Sequence, residues 1–159
     1  MTRVLFVCLG NICRSPLAHG LFRDEIQKRD LSDQLTVDSC GTSAYHNGQG
    51  ADPNNIRVAT RHGIELSDMV SRRLEDSDFF EFDLIVAMDA SNEREIRNRQ
   101  LPGCNPDIVR FMDFVPGAQS PDVPDPYWGG VDGFERVFEL VRSGISPLLD
   151  YALQLPRPD

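Results

Sequence analysis

The sequence has little cysteine, a deficit of basic charge and no long apolar run. Its 159 residues include four cysteines and no Cys-x-x-Cys pair, so a disulfide scaffold and a structural zinc site both lack support. The 16 basic residues are outnumbered by 25 acidic ones, and the net charge of −9 opposes nonspecific binding to nucleic acid or anionic lipid. The first apolar run, residues 4–9, is much shorter than the roughly 20 residues of a membrane span. We therefore expect a cytoplasmic protein without a metal or cofactor that binds neither nucleic acid nor membrane.

The length and composition are those of one globular domain. Apolar residues make up 40% of the chain and charged residues 26%, which is enough apolar surface to form a core. No internal repeat or polar linker divides the sequence. We therefore predict a single domain over residues 1–159.

Short apolar runs alternate with helical patterns. Four runs have the length and composition of buried strands: residues 4–8, 35–40, 84–88 and 108–112. Helices are predicted to begin at Ser15-Pro16 and at Asp52-Pro53, each with a capping residue before a proline, and a polar helix is predicted over 91–99. A final amphipathic stretch over 134–152 is expected to be kinked or divided by Gly144 and Pro147. The alternation predicts an α/β fold, with a parallel sheet covered by helices on both faces.

The loop after the first predicted strand joins Cys8 to Arg14 through five residues, directly before Ser15. Five residues can curl so that their backbone N–H groups converge on one anion, with a helix N-terminus behind them. The same groups favour a nucleophilic thiolate at Cys8, and the planar guanidinium of Arg14 suits two phosphoryl oxygens. Each feature alone is ordinary, since Cys8 fits a buried strand and Gly10 a turn. Together they predict a phosphate cradle, whereas the Gly-Lys-Ser/Thr and Gly-x-Gly-x-x-Gly nucleotide motifs are absent.

Residues 7–16, Val-Cys-Leu-Gly-Asn-Ile-Cys-Arg-Ser-Pro, resemble the signature of the low molecular weight protein tyrosine phosphatases. The resemblance extends over nearly the whole chain through further matching segments: Asp38-Ser39 with Gly41-Thr42, His62-Gly63 before Ser71-Arg72, Met88-Asp89 before Ser91-Asn92, and Asp125-Pro126-Tyr127. It implies a three-layer α/β sandwich whose four-stranded parallel sheet has the flavodoxin-like order 2-1-3-4.

The resemblance also implies the chemistry. Cys8 would attack phosphorus and form a cysteinyl-phosphate, Arg14 would bind the phosphoryl oxygens, and Asp125 would act as general acid and then as general base. A departing tyrosyl oxygen has a pKa of about 10, so the reaction needs such an acid. Asp125 lies in a stretch, residues 102–133, that holds six prolines and five glycines and is too long to be a mere connection. The expected substrates are phosphotyrosine proteins, and the expected product is inorganic phosphate.

Further residues receive supporting roles by the same resemblance. A network that positions the loop and stabilises the thiolate would contain Asn11, Ser15, Ser39 and His62, although His62 also fits a simple helix end. Substrate contacts are expected from loop and wall residues: Leu9, Gly10, Asn11, Ile12, Cys13, Tyr45, Tyr127 and Trp128. Ordinary packing is the alternative for Tyr45 and Trp128. Many family members have tyrosine where this chain has Trp128, which leaves the fine substrate preference open.

Redox control, two alternative functions and the oligomeric state complete the predictions. Cys13 could trap an oxidised Cys8 as a disulfide, which would make the enzyme redox-regulated; a plain packing role is the alternative. A thiol-linked arsenate reductase shares the fold and the loop spacing but needs a relay of further cysteines. A catalytically silent phosphotyrosine-binding module would keep Arg14 but need neither Cys8 nor Asp125. A monomer is expected.

Overall fold

The computed structural model describes residues 1–126 and 129–156. Within these ranges, four parallel strands form one sheet: β1 (Thr2–Cys8), β2 (Leu35–Gly41), β3 (Leu84–Ala87) and β4 (Asp107–Arg110). Their order is β2-β1-β3-β4, which confirms the predicted 2-1-3-4 arrangement. The fourth strand ends earlier than predicted because residues 111–114 turn into a short 3₁₀ helix.

In the described part of the chain, five α-helices connect and follow the strands: α1 (Arg14–Lys28), α2 (Pro53–Arg61), α3 (Asp78–Glu81), α4 (Ala90–Arg99) and α5 (Gly130–Gln154). The expected cap of α2 is present, since the side chain of Asp52 accepts a hydrogen bond from the backbone N–H of Asn54. Among the described residues, no helix is long and apolar enough to cross a membrane.

The last helix is not divided at Gly144 or Pro147. Both residues lie inside one continuous helix, α5. Gly144 serves packing, because a Cβ atom there would lie 2.7 Å from the ring of Phe111. The helix buries a long apolar stripe that includes Phe138 and Leu148. The burial of this stripe outweighs the one backbone hydrogen bond that Pro147 removes.

The sheet separates two apolar cores, which confirms the three-layer sandwich. Alternate residues of β1 point to opposite faces, so that Phe6 joins the larger core and Val7 the smaller one. Residues of α1, α2 and α5 fill the larger core, and Phe79 of α3 and Ile96 of α4 pack in the smaller one.

The end of β1 lies where the strand order of the sheet reverses. From β1 the chain crosses to β2 on one side, and β3 lies on the other side. The loops that leave β1 and β3 therefore diverge and open a crevice at the carboxyl edge, which is where open α/β sheets bind ligands. Cys8 is the last residue of β1 and lies at this edge.

Candidate active site

The loop from Cys8 to Arg14 is fixed by backbone contacts to the chain that continues β2. The N–H groups of Thr42 and Ser43 donate to the carbonyl oxygens of Cys8 and Leu9, both at 2.9 Å. Asn11 has a φ of 56°, in the left-handed region, which turns the loop tightly. Its backbone N–H then points back at the sulfur of Cys8, 3.3 Å away. The loop thus aims one backbone N–H at the buried thiol.

Side-chain hydrogen bonds connect the Cys8 sulfur to the interior. The Ser15 hydroxyl lies 2.9 Å from Sγ of Cys8. The Asn11 side-chain amide donates to Oγ of Ser15 at 2.9 Å and to Oγ of Ser39 at 3.1 Å. Three of the four residues predicted for the supporting network therefore meet in one chain of hydrogen bonds that ends on the sulfur.

The Ser15 hydroxyl fits either protonation state of Cys8. It accepts from Asn11, so its own proton goes either to the sulfur or to the backbone oxygen of Cys40, 3.2 Å away. When Cys8 is a thiol, the S–H donates to Ser15 and the hydroxyl donates to Cys40. When Cys8 is a thiolate, the hydroxyl turns to the charged sulfur, because a hydrogen bond to an ion is the stronger one.

His62, which was predicted to belong to this network, does not contact it. His62 lies at the end of α2, where Nε2 is 3.1 Å from Glu135 and the ring stacks on Phe138. The network histidine is instead His19, whose Nδ1 is 2.9 Å from Oγ of Ser39. Burial lowers the pKa of His19 to about 4, so the ring is neutral at neutral pH.

The sequence does contain a signal for His19. It follows Ser15 by four residues on a predicted helix, which places both side chains on one face. The His62-Gly63 match with the family predicted His62 for the network, and His19 lies there instead.

Arg14 is almost fully buried, with 5% of its surface exposed. Its Nη1 donates to the Asp89 carboxylate at 2.6 Å and to the backbone oxygen of Val123 at 3.0 Å, and its Nη2 lies 4.0 Å from Asp125. Burial by itself would lower the pKa of the guanidinium, but Cys8, Asp89 and Asp125 together raise it. The neighbouring acidic groups therefore stabilise the positive charge of the buried Arg14 guanidinium.

Asp89, for which the sequence predicts no role, both caps α4 and orients Arg14. Its signal is the Met88-Asp89 match, in which an acidic residue follows a buried strand at the carboxyl edge. Two further residues without a predicted role hold Asn11. The Ser71 hydroxyl donates to its backbone oxygen, and the Arg72 backbone N–H donates to its side-chain oxygen at 3.1 Å. No local pattern marks these two contacts, because about 60 residues separate the partners.

The loop forms the floor of a cavity of about 360 Å³. The cavity brings together most of the predicted site, with His46 as an addition: Cys8, Leu9, Gly10, Ile12, Cys13, Arg14, Tyr45, His46 and Asp125. Leu9 and Tyr45 are exposed at its edge, with 54% and 82% of their surfaces accessible. The predicted wall residues Tyr127 and Trp128 lie outside the described residues. Within residues 1–126 and 129–156, no group of three or more histidine, cysteine or acidic side chains is placed to hold a metal ion.

Known proteins resemble this chain over most of its length. A family model described as "Low molecular weight phosphotyrosine protein phosphatase" matches residues 3–156. A protein of that name from Schizosaccharomyces pombe is 45% identical over 133 residues, which are 83% of this chain and 85% of the relative. A low molecular weight protein-tyrosine-phosphatase from Bacillus subtilis is 39% identical over 149 residues, 94% of each chain.

The fold is similar to that of solved relatives. A crystal structure of a protein tyrosine phosphatase from Entamoeba histolytica superimposes with a TM-score of 0.89 at 39% identity, covering 94% of this chain and 96% of that one. Sequence and structure therefore agree that this chain belongs to the low molecular weight phosphotyrosine protein phosphatase family.

Proposed function

We propose that this enzyme hydrolyses protein phosphotyrosine through a cysteinyl-phosphate on Cys8. The observation that carries the proposal is the convergence of the Asn11 N–H and the Ser15 hydroxyl on the Cys8 sulfur, with the Arg14 guanidinium in the same cavity. These donors stabilise negative charge on sulfur, and Arg14 balances the charge of a bound phosphoryl group.

In the first step the Cys8 thiolate attacks phosphorus, an S–P bond forms and the bond from phosphorus to the tyrosyl oxygen breaks. Arg14 binds two phosphoryl oxygens through its planar fork, and Asp89 keeps that fork oriented. The electron pair of the broken bond goes to the tyrosyl oxygen, which takes a proton from Asp125. Asp125 is suited to this role because it lines the same cavity as Cys8 and Arg14.

In the second step water attacks the phosphorus of the cysteinyl-phosphate. The Asp125 carboxylate takes a proton from this water, the S–P bond breaks, and the sulfur leaves as a thiolate that Ser15 and Asn11 stabilise again. Inorganic phosphate is released, and Asp125 ends the cycle protonated, as it began.

The shape of the cavity supports an aryl substrate. Cys8 lies at the floor with 2% of its surface exposed, while the apolar side chains of Leu9, Ile12 and Tyr45 line the walls. A phosphotyrosine is long enough to bring its phosphorus to the sulfur while its ring contacts these walls, and a phosphoserine is too short.

The single-domain, monomeric and cytoplasmic character of the chain stays a prediction.

The thiols support a phosphatase better than an arsenate reductase. Cys40 is fully buried, and burial raises its pKa well above the ordinary value. A protonated, enclosed thiol is a poor nucleophile for a relay that needs repeated thiolate attack.

The test measures phosphate release from a phosphotyrosine peptide and from a phosphoserine peptide, in EDTA and reductant. We expect turnover of the tyrosine peptide alone, no turnover by Cys8→Ser, and a loss of about 10²–10⁴-fold in kcat for Asp125→Ala. Cys104→Ser is the matched control, since Cys104 does not line the cavity, and it should retain full activity. Tight peptide binding without phosphate release by the reduced wild type would instead identify a binding module and refute the proposal.

A further inference from the structure

Asp125 is carried by a proline-rich segment that has no regular secondary structure. Residues 121–126, the acid segment, read Pro-Asp-Val-Pro-Asp-Pro, and all six lie outside helices and strands in the described structure. Proline fixes its own φ and also restricts the residue before it to extended conformations. Val123 and Asp125 each precede a proline. The acid segment is therefore stiff, and a shift at one of its residues is passed on to the next ones.

Two neighbouring residues fasten the acid segment to the carboxyl edge of the sheet. Oδ1 of Asp122 accepts a hydrogen bond from the backbone N–H of Ala90, the first residue of α4, at 2.9 Å. The N–H of Val123 donates to the oxygen of Met88 at 2.9 Å, and the oxygen of Val123 accepts from Nη1 of Arg14 at 3.0 Å. The general acid follows two residues after the last of these contacts.

The Asp122 contact can be removed without disturbing the core or the phosphoryl-binding group. Asp122 is exposed, whereas Val123 is fully buried in the larger core. The partner of Asp122 is an N–H group in the first turn of α4, which has no acceptor within the helix and lies at the positive end of the helix dipole. A carboxylate at this point is a favourable anchor for a segment that crosses the end of the helix.

We propose that Asp122 is a positioning residue that holds the general acid Asp125 in the phosphate cavity. This inference rests on the proposed function, because it concerns the step in which Asp125 protonates the leaving oxygen. Without the hydrogen bond to Ala90, the acid segment pivots about Val123, and its stiff backbone carries the shift to Asp125. Attack by Cys8 depends on the loop after β1, which other contacts hold, so proton delivery is the step that suffers.

The experiment compares kcat/KM for two aryl phosphates with different leaving groups. Phenyl phosphate, like phosphotyrosine, releases a group with a pKa of about 10 that needs a proton, whereas para-nitrophenyl phosphate releases a weaker base that needs little help. We expect Asp122→Ala to lose about tenfold with phenyl phosphate and less than about twofold with para-nitrophenyl phosphate. A merely structural effect would lower both values alike. The parameter kcat/KM is suited because it reports on the first step, before Asp125 acts as a base.

Further variants connect the loss to this hydrogen bond. Asp122→Asn keeps an acceptor oxygen for the N–H of Ala90, so both of its values should stay within about threefold of those of the wild type. In the Asp125→Ala background, Asp122→Ala should cause no further loss with phenyl phosphate, because the residue acts only through Asp125. The matched control is Glu65→Ala. The Glu65 carboxylate likewise accepts a backbone N–H, that of Ser67 at 3.0 Å, in an exposed turn outside the phosphate cavity, and its removal should change neither value.

Equal losses with the two substrates in Asp122→Ala, full activity of that variant with phenyl phosphate, or a further loss in the Asp125→Ala background would each overturn the inference. An Asp122→Asn variant as slow as Asp122→Ala would do the same, because the hydrogen bond would then not be the cause. Failure of the proposed function gives a different result. In that case the wild type releases no phosphate, or Asp125→Ala itself loses equally with both substrates. A loss that depends on the leaving group in Asp125→Ala but not in Asp122→Ala refutes the role of Asp122 alone.

Discussion

Gly41, the last residue of β2, packs directly against the phosphate loop, and its replacement by alanine should damage catalysis. A Cβ atom at this position would lie 2.7 Å from the carbonyl oxygen of Leu9 and 3.2 Å from the backbone N of Asn11. Ordinary van der Waals contact begins at 3.4 Å, so the loop or the strand would have to move by about 0.7 Å. The contacting atoms are backbone, which cannot avoid the methyl group by changing a rotamer.

The strand is less able to move than the loop. Gly41 donates its N–H to the oxygen of Arg72 at 2.9 Å and its own oxygen accepts from the N–H of Leu74 at 2.8 Å, so residues 72–74 run beside Gly41 and bind both of its backbone groups. The displacement therefore falls on the loop that aims the Asn11 N–H at Cys8. A misplacement of about 1 Å in a catalytic group costs on the order of 10²-fold, so we expect Gly41→Ala to lose roughly ten- to a hundredfold in kcat/KM.

The same overpacking should lower the free energy of unfolding by about 1–3 kcal/mol. Activity is measured with a small aryl phosphate, and inorganic phosphate is measured as a competitive inhibitor, which reports on the cradle without the chemistry. Urea unfolding gives the stability. We expect phosphate to bind more weakly, with a higher inhibition constant, in addition to the loss of kcat/KM.

Gly50→Ala is the matched control. A Cβ at Gly50 would meet only the oxygen of Met69, at the ordinary distance of 3.8 Å, so activity and stability should stay near the wild-type values. If Gly41→Ala keeps kcat/KM and the phosphate inhibition constant within twofold of those of Gly50→Ala, the loop is not held by this contact and the reasoning is wrong.

Two further predictions concern pH and oxidation. Since His19 has a pKa of about 4 in the folded chain and an ordinary value of 6.5 when unfolded, its contribution to stability is complete above pH 6.5 and is lost as the pH falls towards 4. Between pH 7.5 and pH 5, the free energy of unfolding measured with urea should therefore fall by about 2 kcal/mol more in the wild type than in His19→Gln. Equal decreases in the two proteins would contradict a neutral His19 ring in the folded state. Peroxide should link Cys8 to Cys13 in a disulfide that mass spectrometry of the digested protein detects. In Cys13→Ser, Cys8 should instead over-oxidise irreversibly. If the wild type forms no such disulfide, the redox role of Cys13 is wrong.

The elements that depend on neighbours along the chain could be predicted from the sequence. The apolar runs of β1 to β4, the Asp52 cap and the strand, loop and helix around Cys8 are local patterns of periodicity, capping and turn formation. The spacing from Cys8 to Arg14 is equally local, so the cradle could be predicted before its shape was known. Alternation of strands with helices then limited the fold to a covered parallel sheet.

The packing of the fold sets which distant residues complete the site. It selected His19 rather than His62, because α2 turns His62 towards Glu135 and Phe138 on α5. It brought Asp89 to Arg14 across 75 positions and Asn11 to Ser71 across 60, through loop paths that no local pattern encodes. It also kept α5 whole across Pro147, because burial of the apolar stripe outweighs a local helix-breaking tendency. Local propensity acts over a few residues, whereas these contacts depend on how the two faces of the sheet are packed.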